Sequence, residues 1–247
     1  MNPDYVEFRS GVVSPMECIK EGWALIKDDY WLFFGLTIVS ILVGGAFAII
    51  LMGPMMIGLF LCMQQRQRNQ PVEFGMLFKG FEQFLPGLIV TVLKTIPIII
   101  LLIPYYIFIF GMMATHMPRD HASPDDVQAF MASFFGVEIG FFFIIFVVSM
   151  LIEIFFMLAY PLIADRKLSG MDAVKLSFRA GKANVGGIVG LILLNALFGM
   201  VGLLCCVVGV YLYIPVAFAS QAVAYRRIFP DTGQTFPAPP PPPGNWA

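Results

Sequence analysis

Charge is what this chain has least of. Of its 247 residues only 13% are Asp, Glu, Lys or Arg, against 59% hydrophobic, and its mean hydropathy is +0.83. A soluble domain carries roughly a quarter charged residues, so a polytopic membrane protein is expected instead. The formal net charge of −1 gives no reason to expect a nucleic-acid partner. The four cysteines, Cys18, Cys62, Cys205 and Cys206, follow neither metal-ligand nor disulfide-framework spacing. Cys205 and Cys206 sit in an apolar run and read as small packing residues. There is no P-loop, GxSxG elbow, HExxH run or dinucleotide fingerprint, so neither an enzyme nor a cofactor is expected. The first thirty residues hold nine charges and no continuous apolar run, which excludes a signal peptide and leaves insertion to the spans themselves.

What the chain does have is internal repetition. The stretch 169–190, SGMDAVKLSFRAGKANVGGIVG, reads as a short amphipathic helix leading into a membrane span. Shifted by 155 residues, Ser14, Met16, Lys20, Lys27, Gly35 and Leu36 fall on Ser169, Met171, Lys175, Lys182, Gly190 and Leu191. In the first copy Met16, Ile19, Trp23, Ile26 and Tyr30 recur every three or four residues, on one helical face suited to a headgroup boundary. A second series, Phe74, Leu77, Phe81, Phe84 and Leu88, predicts a similar helix at 72–84. Each copy sets a small residue before its central aromatic: Gly22–Trp23, Gly80–Phe81 and Ser177–Phe178.

Apolar stretches at 31–63, 84–113, 130–163, 184–204 and 209–225 supply the spans. The first is too long for one untilted crossing of about 20 residues and is read as a hairpin. Its turn is expected at Gly44–Gly45, with Pro54 a kink in the second helix, and a turn at Gly53–Pro54 stays open as an alternative. The connections 64–83 and 164–183 hold three and five basic residues, the 114–129 loop one. The excess of positive charge on cytoplasmic loops therefore predicts six spans with both termini in the cytoplasm. The expected fold is all-α: a six-span helical bundle of three hairpins, each preceded by a cytoplasmic amphipathic interface helix. Its parts are a polar lead-in (1–13), a membrane domain (14–229) with units near 14–68, 72–165 and 169–227, and a proline-rich disordered tail (230–247).

The runs EFGMLFKGFEQF, GPMMIG, YPLIADRKLSGMDAVKLSFRA and IPVAFASQAVAYRRIF together resemble a broad group of bacterial multi-pass proteins. That group is similar to the membrane domain attached to some glycerophosphodiester phosphodiesterases. The resemblance covers about residues 14–229 and implies a compact six-span bundle in a bacterial inner membrane. It does not imply hydrolase activity, which belongs to a separate soluble domain.

Few residues are candidates for chemistry. His116 and His121 share a loop with Asp120, Asp125 and Asp126, but without ligand spacing, so no metal site is expected. Glu138 and Glu153 are possible proton donors or acceptors with no nucleophile beside them. Lys94, Glu153 and Asn195 each lie about ten residues, roughly 15 Å, from the inner edge of a span, and are expected to form a buried polar cluster. Within it Lys94 and Glu153 read as a register-fixing ion pair. Trp23, Phe81 and Phe178 are the expected interface anchors. Small pairs at Ser40/Gly44, Gly136/Gly140 and Gly186/Gly190 permit close helix approach, by default inside the bundle. Two functions follow. The favoured one is a structural or accessory subunit that packs against another membrane protein or its own copies, or organises the bilayer through contact with membrane lipids, with the tail reaching a cytoplasmic partner. The alternative is a transporter or binder of a small molecule or lipid, using polar groups between the repeats.

Overall fold

The computed structural model describes residues 7–116, 123–205 and 207–230. Among these, regular structure is entirely helical. Helix α1 (Pro15–Ile26) passes through a three-residue 3-10 turn into α2 (Tyr30–Ala46). Pro15 suits the first turn of α1, where its missing N–H has no intrahelical acceptor. Then come α3 (Ala48–Gln67), a 3-10 helix at Phe74–Gln83, α4 (Phe84–His116) and α5 (Pro124–Phe156). The chain continues through α6 (Ala159–Arg166), α7 (Gly170–Ala183), α8 (Val185–Cys205) and α9 (Val207–Ile228). Six helical segments are long and apolar enough to cross a membrane.

Local chemistry sets the boundaries. Ser169 caps α7, its hydroxyl accepting the Asp172 N–H at 3.2 Å. The first reversal falls at Phe47, between α2 and α3, two residues beyond the expected glycines, and Pro54 lies inside α3 as a tolerated kink site. The expected span 130–163 is broken at Met157–Leu158. Pro161 cannot donate to the Met157 carbonyl and its ring crowds that oxygen, so the helix stops and restarts as α6. The Phe155 carbonyl beside the break accepts the Ser177 hydroxyl at 2.5 Å. The segment expected as an amphipathic helix at 72–84 is 3-10 rather than α. Residues at i and i+3 eclipse in a 3-10 helix. Leu77 and Gly80 thus form one flat buried stripe, pressed against Pro54 and Gly58 of α3.

The polar lead-in is held against the bundle at a few points. Its described residues, 7–13, pack on the bundle: the Arg9 N–H donates to the Ile228 carbonyl at 2.9 Å, the Asn184 amide donates to the Arg9 carbonyl at 3.0 Å, and Val13 is buried. Gly11, at φ +69°, makes the turn that brings them there. The tail from residue 231 onward and the loop residues 117–122, including His121 and Asp120, lie outside the described residues.

The core sits at the end of the bundle where Arg66, Arg68, Arg226 and Arg227 cluster, called here the basic end. Phe60, Met63, Leu158, Ile163, Tyr225 and Phe229 are fully enclosed there. Helix α1 lies against α9 so closely that a Cβ on Gly22 would sit 2.7 Å from the Ser220 nitrogen. Helix α7 lies against the end of α5, where Phe178 stacks on Phe155 at 4.3 Å between ring centroids. Toward the opposite, loop end the helices α4, α5, α8 and α9 turn mostly exposed apolar surface outward. Helices α4 and α5 have 33 residues each, about 50 Å, against a hydrocarbon layer of about 30 Å.

Candidate functional site

Between α3, α4, α5 and α9 lies a cavity of about 410 Å³, in the size range of small-molecule sites. Its floor is polar. Lys94 Nζ on α4 donates to Glu153 Oε2 on α5 at 2.6 Å. Counting ten residues from Phe84 puts this pair about 15 Å along the span, near mid-depth of a bilayer. The two side chains are 29% and 28% exposed, which decides that they open onto the cavity rather than being sealed in protein. Beside them the Thr91 and Tyr160 hydroxyls share a hydrogen bond of 3.0 Å, and Thr95 donates to the Thr91 carbonyl at 2.7 Å. Gln221 of α9 completes the polar face. The rest of the lining is apolar: Met52, Met56, Ile98, Phe156, Met157 and Phe218.

Sequence depth places Lys94 and Glu153 level, and the fold brings them together. It does not bring Asn195 to them. The Asn195 amide donates to Ser220 Oγ at 3.1 Å and its oxygen accepts the Tyr213 hydroxyl at 2.7 Å, a separate α8–α9 junction. Equal depth fixes height in the bilayer but not direction around the helix, and Asn195 faces α9. Glu138 lies fifteen residues from Glu153 on α5, about 22 Å away along the axis, and accepts from the Tyr105 hydroxyl. The two carboxylates cannot share one reaction centre. Among the described residues no three His, Cys, Asp or Glu gather to hold a metal.

The anchors show a common pattern. Trp23 and Phe178 are each 48% exposed, and Phe81 is partly buried against Phe78. Their small neighbours point inward instead: Gly22 onto α9, Gly80 onto α3, and Ser177 onto α5. Of the small pairs, Ser40 and Gly44 are buried, with Gly44 facing Met52 of α3, and Gly190 faces Pro15. Gly136, Gly140 and Gly186 have nothing within reach of a Cβ, against the expectation that all three pairs pack within the bundle.

Sequence reasoning missed Asp165. At 8% exposure its carboxylate accepts Arg68 at 2.8 Å and the Tyr225 hydroxyl at 2.8 Å, with Arg226 at 3.9 Å, tying α3, α6 and α9 together. The available signal was one acid in the basic run ADRK. Nearby, Arg227 pairs with Glu17 and Glu21 of α1 at 2.9 and 2.8 Å, and Arg66 with Asp29 at 3.0 Å.

An all-helical chain with six segments able to cross a bilayer, closed at one end by ion pairs and holding a partly polar cavity at mid-depth, is a multi-pass membrane protein. Comparison with known proteins adds no narrower class: no family model matches the chain, and neither does any curated protein or solved structure.

Proposed function

We propose that the protein is a non-enzymatic binder or transporter of an amphipathic small molecule or lipid, which it holds in the cavity at Lys94 and Glu153. The observation that carries this reading is the cavity itself. A charged pair inside a bilayer is costly and is kept where it structures a helix pair or meets a ligand, and this one faces open space bounded by apolar walls. The test is purification in mild detergent at native abundance, with mass spectrometry of what co-purifies. An amphiphile retained by the wild type and lost from Ile98→Trp, which fills the cavity, is the expected result. An empty wild-type protein would reject the reading.

The fold we propose around the cavity is a closed ring of three repeated units, each an amphipathic segment followed by two spans. The amphipathic segment of the second unit lies on α3 of the first, that of the third on α5 of the second, and that of the first on α9 of the third. Repeat-related Gly35 and Gly190 receive the heads of the following segments, at Phe74 and Pro15. We place the basic end, and with it both termini, on the cytoplasmic side of a bacterial inner membrane, by the distribution of Lys and Arg. Single cysteines at Ser123 and Ser169, in a background cleared of native Cys, should then label from opposite sides with an impermeant maleimide. Labelling of both from outside intact cells would overturn that orientation.

A second reading, as an accessory subunit, is favoured by α5. Gly136 and Gly140 stand open on a helix longer than the bilayer is thick, as expected of a surface that meets another membrane helix. A stoichiometric membrane-protein partner, or a homo-oligomer, in the same purification supports it.

A further inference from the structure

The charge balance of the cavity restricts what it can hold. Lys94 and Glu153 are its ionised groups, and they cancel. A ligand with net negative charge would satisfy Lys94 while drawing it from Glu153, leaving one carboxylate stranded in a low-dielectric site. A net cation would strand Lys94 in the same way. Either result is the costly case of an uncompensated buried ion. A ligand without charge would leave the pair intact but unused.

The hydrogen-bonding capacity left over on both ions points the same way. Lys94 commits one of three donors to Glu153, and Glu153 one of its two oxygens. Among the described residues the remaining capacity of both has no side-chain partner, and the Gln221 amide makes no hydrogen bond. The cavity thus presents, side by side, an ammonium with spare donors and a carboxylate with a spare oxygen, within an otherwise largely apolar lining. We infer that the ligand is a zwitterionic amphiphile whose anionic group pairs with Lys94 and whose ammonium pairs with Glu153. The four charges then alternate around a small ring, and no ion is left alone. The apolar part of the ligand lies on the wall of Met52, Met56, Ile98 and Phe218. A phosphoethanolamine diester, as a lipid headgroup or as free glycerophosphoethanolamine, has this chemistry: one phosphate charge and one ammonium.

This inference rests on the cavity being a ligand site, and the test separates the two. The full chain in detergent is titrated with dihexanoylphosphatidylethanolamine, dihexanoylphosphatidylglycerol, dihexanoylglycerol and free glycerophosphoethanolamine, with binding read by native mass spectrometry. The zwitterionic lipid is expected to bind at least tenfold more tightly than the anionic lipid or the diacylglycerol. Competition by free glycerophosphoethanolamine would show that the headgroup alone suffices. Its failure to compete would show that the apolar wall is required. The neutral double variant Lys94→Met/Glu153→Gln should lose the preference to within about twofold. The exchanged pair Lys94→Glu/Glu153→Lys, which keeps the site neutral and the ions paired, should retain it at fivefold or more. Equal or tighter binding of the anionic lipid, abolished by Ile98→Trp, would overturn the zwitterionic assignment and leave the cavity as a ligand site. Binding of every probe unchanged by Ile98→Trp would overturn both.

Discussion

Near the basic end of α9, Ala219, Ala222, Ala224 and Tyr225 are completely enclosed, while near the loop end of α8, Leu203 and Leu204 are 53% and 81% exposed. Both stretches are apolar and helical, and hydrophobicity does not distinguish them. In a bilayer it cannot, because lipid tails accept a leucine as readily as another helix does. What marks the basic end is small residues and polar ties. Glycines at positions 22, 58 and 80 let backbones meet, and Asp165, Arg66 and Arg227 cross-link the helix ends. Toward the loop end Gly136 and Gly140 stand open among large exposed side chains, and the close contacts are few: Gly202 against Gly209 beside the α8–α9 reversal, and Tyr105 of α4 on Glu138 and Phe141 of α5. Protein packing is therefore specified mainly at the basic end, and the cavity lies where it thins.

Substitutions at matched positions should expose this difference, and the largest effect is expected from glycine. Gly58→Ala forces a Cβ into the Leu77 carbonyl, which can retreat only by unseating the 3-10 helix. Overpacking costs about 1–3 kcal/mol where side chains can yield, but here the Cβ would lie well inside contact distance of a backbone oxygen that cannot, so outright loss of folded protein in detergent is expected. Normal accumulation of Gly58→Ala would show that the close approach is not required.

Next comes Asp165→Ala. It removes the acidic partner of Arg68 and Arg226 at the helix junction and the acceptor of the Tyr225 hydroxyl, and breaking a buried ionic group costs about 3–5 kcal/mol. A thermal melt of the purified variant should show a large drop. At the loop end, Asp126→Ala removes only an exposed capping box around Ser123, worth about 1 kcal/mol. Comparable losses from the two would erase the distinction between the ends.

Lys94→Met or Glu153→Gln alone should destabilise by more than the double change does, since each single change leaves one ion unpaired at mid-membrane. The exposure of the pair to the cavity makes the effect smaller than that of Asp165. A double-mutant cycle returning simple additivity would show that the pair contributes no coupling. Asn195→Ala should cost about 1 kcal/mol through Tyr213 and Ser220, and should add to Lys94→Met without coupling. The smallest effect belongs to Gly140→Ala, where nothing meets the new methyl group. Helix propensity there favours alanine by up to about 1 kcal/mol, so a neutral or slightly raised melting temperature is expected.

The mismatch between Asn195 and the ion pair marks how far sequence reading reached. Counting residues along a helix gives depth, and depth was enough to set Lys94 beside Glu153, because α4 and α5 are neighbours in the chain. Asn195 sits on α8, and whether it faces that pair or α9 depends on how the helices are arranged around one another. Asp165 was invisible for a related reason. Its partners Arg68 and Arg226 come from helices 97 and 61 residues away along the numbering, and no local pattern links them.

Composition and period by themselves determined the all-helical class, the six membrane-crossing segments and the amphipathic stretches between them, because a bilayer forces backbone hydrogen bonds into helices and charges out of spans. Tertiary structure alone decided which face of each helix is covered. It made the 72–84 segment 3-10 on the glycine face of α3, turned Asn195 toward α9, and left a cavity beside the Lys94–Glu153 pair. Side-chain polarity cannot specify such choices inside lipid, where every apolar surface is equally acceptable until steric fit and buried polar groups discriminate between them.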